Sequence, residues 1–186
     1  MLAGYHQVVL LGMGGSSLAP EMFARTLHRS GYPRLTVLDS TAPGAVLACR
    51  ARLEPERTQV VVSTKSGGTV ETFSLGKYFY TWMAAQVGAA KAGGHFWAIT
   101  DPGSTLIEWA RGLGFGQVLL SDPNIGGRYS ALSMFGLVPA AMVGADIERL
   151  LKSANDAANE LGTVDSADNP ALLLGAAMGA LSLAGR

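Results

Sequence analysis

"VVVSTKSGGTVETF", residues 60–73, passes from three valines into a cluster of hydroxyls, one lysine and two adjacent glycines, and then into a helix-forming run. It reads as strand, loop and helix in direct succession, because β-branched residues without polar alternation suit a strand covered on both faces and Gly67–Gly68 interrupts it. The same grammar recurs along the chain. Apolar runs stand at 8–12 (VVLLG), 35–39 (LTVLD), 59–63 (QVVVS), 96–100 (FWAIT) and 117–121 (QVLLS). Helical patterns at about 17–29, 43–53, 69–87 and 104–112 separate them. Strand and helix in strict alternation predict right-handed crossovers and an α/β fold. The expected architecture is a three-layer αβα sandwich around a five-stranded parallel sheet, flavodoxin-like or Rossmann-like, with ligands at the carboxyl ends of the strands. Three further helices are expected near 129–143, 146–161 and 170–184, and "GTVDSADNP" (162–170) is the most linker-like piece.

The chain has 186 residues with 14 basic and 14 acidic side chains, a balance that argues against a nucleic-acid partner, which calls for a basic excess. At 48% hydrophobic and 15% charged it must bury a core rather than stay disordered. Its longest apolar stretches are too short for a membrane span and carry glycine or proline, and the amino end lacks a secretory signal. The single cysteine, Cys49, reads as a packed hydrophobe and fits a cytoplasmic location. Residues 1–186 read as one domain. The last helix is apolar nearly all round, so the chain is expected to be a piece of a longer protein and to self-associate when alone.

Three loops follow strands and would open on one edge of the sheet. In "GMGGSSLAPE" (12–21), Gly12, Gly14 and Gly15 admit close backbone approach, Ser16 or Ser17 is expected to cap the next helix, and Pro20 and Glu21 to fill its first turn. With Asp39 at the end of the second strand, this loop also resembles a dinucleotide fingerprint with Ser17 in place of the third glycine, which leaves a nicotinamide-dependent oxidoreductase as an alternative. In "STKSGGTVET" (63–72), Thr64, Ser66 and Thr69 supply hydroxyls, Gly67 and Gly68 free the backbone to wrap, Lys65 adds charge, and the following helix presents unpaired amides. A plain helix cap needs one such side chain, so the cluster points to a phosphate monoester. It lacks the lysine-hydroxyl ending of a nucleotide P-loop. In "SDPNIGGRYSALSMFG" (121–136), Gly126 and Gly127 set Arg128 on a sharply turning loop before an apolar helix capped by Tyr129 or Ser130. There Arg128 either grips an anionic oxygen or pairs with Asp122 or a helix end. His6, His28 and His95 belong to none of these loops, and Glu21 and Glu71 read as helix-dipole compensation.

Taken together, "GMGGSSLAP", "STKSGGTVET", "IGGRYSALSMFGL" and "NPALLLGAAMGALSLAGR" resemble segments of the glucose-6-phosphate isomerase family, with the glycine-glycine-arginine segment the most specific. The resemblance covers nearly the whole chain and implies the first sugar isomerase (SIS) domain of such an enzyme. The form of the phosphate loop is similar to the isomerase part of bacterial transaldolase and isomerase fusions. It implies glucose 6-phosphate and fructose 6-phosphate as ligands, with Thr64, Lys65, Ser66 and Thr69 around the phosphate, Gly15, Ser16 and Gly127 against the substrate, and Arg128 as catalytic support for an enediolate. No cofactor or metal is implied; a second SIS domain and a homo-oligomer are. The family's base glutamate and ring-opening histidine are expected beyond residue 186, which leaves this chain inactive alone. A stand-alone sugar-phosphate sensor is the other alternative.

Overall fold

A computed structural model describes residues 4–163 and 168–186, so part of the linker-like stretch lies outside the described residues. The chain forms two compact units, one ending at Ala145 and one beginning at Asp146. The first contains strands β1 (Gln7–Gly12), β2 (Arg34–Leu38), β3 (Thr58–Ser63), β4 (Phe96–Thr100) and β5 (Gln117–Leu120). All pair parallel in the order β2-β1-β3-β4-β5. Valine and leucine decide this arrangement: every residue of β3 and β4 is buried, as a strand with helices on both faces requires.

The helices of this unit are α1 (Gly15–Thr26), α2 (Pro43–Arg50), α3 (Val70–Val87), α4 (Ala89–Ala92), α5 (Thr105–Gly112) and α6 (Met134–Met142). Alternate strand residues divide between two cores. Val9, Leu11, Val60, Val62 and Ala98 pack with Leu75, Phe79 and Met83 of α3 and Leu106 of α5, while Val8, Leu10, Val61 and Ile99 pack with Phe135 and Met142 of α6. The predicted three-layer sandwich is therefore observed. Cys49 lies in the first core as a free thiol, and burial raises its pKa although Arg52 pulls it down in part.

Several local expectations change. The edge strands β2 and β5 are only partly buried, because each has a neighbour on one side alone. The helix expected over 69–87 forms as α3 and stops at Gly88, whose φ of 89° ends it, but the short α4 that follows was not expected. The single helix expected over 129–143 is instead a 3-10 turn (Gly127–Leu132) and then α6. The break falls at Ser133, which is extended and whose hydroxyl takes the Phe135 amide at 3.3 Å, so Ser133 rather than Tyr129 or Ser130 caps the helix. At α1 the N-cap is Gly14, not Ser16 or Ser17: the Ser17 hydroxyl donates back to the Gly14 carbonyl at 2.9 Å. Pro20 and Glu21 then fall past the first turn, and Glu21 pairs with Arg25.

The second unit holds α7 (Ile147–Thr163) and α8 (Pro170–Leu183). Asn169 caps α8 by accepting the Ala171 amide at 2.9 Å, and no residue of α8 is buried, with Leu172, Leu173, Leu174, Met178 and Leu181 all exposed. Among the described residues no helix is long and apolar enough to cross a membrane.

Candidate functional site

Sheet order dictates where a ligand fits. The crossovers run outward in opposite directions from β1 and β3, so the loops after these two neighbouring strands part and leave a crevice at their carboxyl ends. A cavity of about 340 Å³ lies there, lined by Met13, Gly15 and Ser16 after β1, by Ser63, Thr64, Lys65, Ser66, Thr69 and Thr72 at the end of β3 and start of α3, and by Asp101 and Gly127. All seven positions predicted to contact substrate, Gly15, Ser16, Thr64, Lys65, Ser66, Thr69 and Gly127, line it.

Thr69 is the N-cap of α3 yet caps nothing: its hydroxyl sits 3.1 Å from that of Thr64 and the two share a hydrogen bond. The amides of Val70, Glu71 and Thr72 find no acceptor among the described residues, and the first helical bond runs from Phe73 to the Thr69 carbonyl. An uncapped helix end with three free N–H groups carries a partial positive charge directed at the cavity. Ser66 turns its hydroxyl toward the Gly68 amide at 3.2 Å, and Glu71 stands exposed in the first turn of α3.

Lys65 lines the cavity but its charge is engaged. Its ammonium donates to Asp101 Oδ2 and to the Pro123 carbonyl (2.9 Å), with the lysine 29% and the aspartate 13% exposed. The loop backbone is fastened to the turn after β4 as well: the Asp101 amide donates to the Lys65 carbonyl (3.2 Å) and the Thr105 hydroxyl to the Gly67 carbonyl (2.9 Å). Gly67 is required there, with φ 69° and a Cβ that would fall 2.2 Å from Ser104 Oγ. Sequence reasoning missed Asp101, whose signal was its place at the end of the fourth apolar run, and it missed Ser63 and Thr72.

Arg128 does not line this cavity. It is exposed on the 3-10 turn and borders a smaller one of about 130 Å³ that shares Gly15 and Gly127 with the first. Among the described residues it forms no ion pair, and Asp122 instead accepts from Asn124, through its amide at 2.9 Å and its side chain at 3.0 Å. Asp39 lies exposed just after β2. None of the three histidines lines the 340 Å³ cavity; His28 and His95 bond backbone carbonyls at Tyr32 and Thr58.

A doubly wound parallel sheet with this strand order is the architecture of the sugar isomerase domains, and solved structures match it closely. A hypothetical protein from Thermus thermophilus superposes with a TM-score of 0.79 at 34% identity, covering 87% of this chain and 38% of that one. A glucose-6-phosphate isomerase from Chlamydia trachomatis gives 0.75 at 27% identity, covering 87% and 31%. The chain belongs to the phosphoglucose isomerase family, which it matches over residues 3–180. Among curated relatives, the glucose-6-phosphate isomerase of Thermus thermophilus is 36% identical over 150 residues, 80% of this chain and 35% of the relative. That of Rubrobacter xylanophilus is 34% identical over 183 residues, 94% and 42%. The chain thus spans well under half the length of these relatives.

Proposed function

We propose that this chain binds a hexose 6-phosphate and forms the phosphosugar-binding part of a glucose-6-phosphate isomerase. The observation that carries the reading is the helix end at Thr69: a threonine in the capping position leaves its helix uncapped and joins Thr64 in facing a cavity. A phosphate dianion supplies the acceptors those hydroxyls and amides lack. With Lys65 neutralised by Asp101, the ester is held by hydrogen bonds and the helix dipole rather than by a net cationic pocket.

The proposed reaction interconverts an aldose and a ketose phosphate by moving a proton between adjacent carbons through a cis-enediol. It is redox-neutral, so it needs no nicotinamide. Gly15, Ser16 and Gly127 shape the wall toward the sugar, and Arg128, which borders the adjoining smaller cavity, is suited to hold the enediolate oxygen of a sugar that extends past Gly127. The transfer also needs a base, and the one carboxylate among the cavity's lining residues, Asp101, is spent on Lys65. We assign the base and the ring-opening group to a second domain of a parent protein. That second domain is the expected partner of the apolar α8, within a cytoplasmic homo-oligomer.

Calorimetric titration tests this. Glucose 6-phosphate should bind and unphosphorylated glucose should not, and Thr69→Val should weaken binding by about 5- to 30-fold, the worth of one to two kcal/mol of hydrogen bonding. Equal heats for the sugar and its phosphate, or a variant that binds like the wild type, would refute the assignment.

A further inference from the structure

Two hydroxyls outside the set that sequence reasoning selected have no partner among the described residues. Ser63, the last residue of β3, and Thr72, in the first turn of α3, are both 0% exposed, yet neither Ser63 Oγ nor Thr72 Oγ1 has a hydrogen bond to any of their atoms. Both line the 340 Å³ cavity. Several other buried hydroxyls behave differently: Thr58 donates to the Glu54 carbonyl at 2.7 Å, Thr100 to Ser104 Oγ at 2.7 Å, Ser130 to the Gly127 carbonyl at 2.7 Å and Ser133 to the Ser130 carbonyl at 2.8 Å. Keeping a buried donor idle costs folding free energy, because water has been lost and nothing replaces it.

We infer that Ser63 and Thr72 form the floor of the anion site, two donors that meet their acceptors only when phosphate oxygens enter. The inference rests on the proposed phosphosugar reading and extends it downward, from the loop and its uncapped helix end to the strand and helix beneath. Their position is fixed by the sheet: Ser63 stands beside Gly12 in the β1–β3 register, and a Cβ at Gly12 would approach the Ser63 carbonyl to 3.0 Å. Thr72 shares its turn with the free amides of Val70 and Glu71. The two hydroxyls thus trade stability of the empty chain for affinity, and that exchange separates a ligand role from a packing role.

The test uses the 186-residue chain and the variants Ser63→Ala, Thr72→Val and Thr72→Ser. Ser121→Ala serves as control, because Ser121 Oγ is likewise buried and unpartnered but does not line the cavity. Urea unfolding without ligand and calorimetric titration with inorganic phosphate and with glucose 6-phosphate are measured for each. Ser63→Ala and Thr72→Val should keep or raise the unfolding midpoint and lose about ten-fold or more in affinity for both probes, by the same factor. Thr72→Ser and Ser121→Ala should bind as the wild type does. Unchanged affinity in the first two variants, a lowered midpoint, or a Thr72→Val chain that does not fold assigns these hydroxyls to the fold and overturns the inference alone. Loss confined to glucose 6-phosphate overturns it too, since the hydroxyls would then meet the sugar. A wild-type chain that binds neither probe overturns the phosphosugar reading along with it.

Discussion

Gly15→Ala should damage the site from the side opposite the phosphate loop. A Cβ on Gly15 would lie 2.1 Å from the Gly127 carbonyl oxygen, 2.5 Å from its carbon and 2.9 Å from its Cα. All three are backbone atoms, so no rotamer change relieves the clash, and the turn beginning at Gly127 must retreat by about 1 Å to restore even a tight contact. That turn resists, because Ser130 Oγ binds the Gly127 carbonyl at 2.7 Å and lies 3.3 Å from the Gly15 carbonyl, clasping the two segments together. Overpacking of this kind costs about 1–3 kcal/mol, and each kcal/mol lowers the melting temperature by about 2–4 °C for a chain of this size. Gly127 also forms the wall shared by the two cavities, so its displacement carries Arg128 away from the phosphate cradle. The expected result is a lower melting temperature together with weaker binding of glucose 6-phosphate in calorimetry. Gly126→Ala is the control: it has φ −63° and its Cβ would meet nothing closer than 3.4 Å, so it should change neither quantity. If Gly15→Ala melts and binds as the wild type does, the close approach of these two loops is not a constraint on the site.

Asp101→Asn should lower stability by about 1–2 kcal/mol, between the values for exposed and fully buried ion pairs, yet tighten phosphate binding at low salt by releasing the Lys65 ammonium. Titrations at two ionic strengths check this, and weaker binding in the variant would contradict it. Cys49 should resist thiol reagents at about pH 8 until the chain is unfolded, since burial raises its pKa. As pH climbs through the ordinary thiol range, the unfolded chain loses this proton before the folded one does, so folding stability falls there and is unaffected below it. The gap between the urea midpoints of wild type and Cys49→Ala, measured at about pH 8 and about pH 10, should move against the wild type at the higher value.

The sheet was legible because its signal is redundant. Runs of valine, leucine and isoleucine in β1, β3 and β4 have no polar face to offer, so only a parallel sheet covered on both sides accommodates them, and the alternating helices then fix the crossovers. Caps were harder to read because several hydroxyls stand close together and sequence cannot rank them. At α1 the serines lost to Gly14, whose φ of 56° only glycine tolerates well. At α6, Ser133 won over its neighbours because the preceding residues had already closed a tighter turn. The loop after β3 stood out for the opposite reason, since it held more hydroxyls than any cap requires, and the structure places Thr64, Ser66 and Thr69 along one cavity.

What the loop sequence could not disclose is how its charge is spent. A lysine among threonines and serines reads as a cation for a phosphate, but its partner, Asp101, lies 36 residues away at the end of the next strand and is brought to it only by β3–β4 pairing. The consequence reaches the chemistry. With the single lysine of the cavity neutralised, the proposed ligand would be bound through donors fixed in the backbone and in short side chains, which reach less far than a lysine. Under the proposed function such donors fix the ester's position, and position matters more than added affinity where a proton must pass between neighbouring carbons, because misplacement by about 1 Å can cost about a hundred-fold in rate. In that reading the Lys65–Asp101 pair acts on the ligand through geometry, by tying the loop after β3 to the turn after β4, and the hydroxyls and helix amides do the holding.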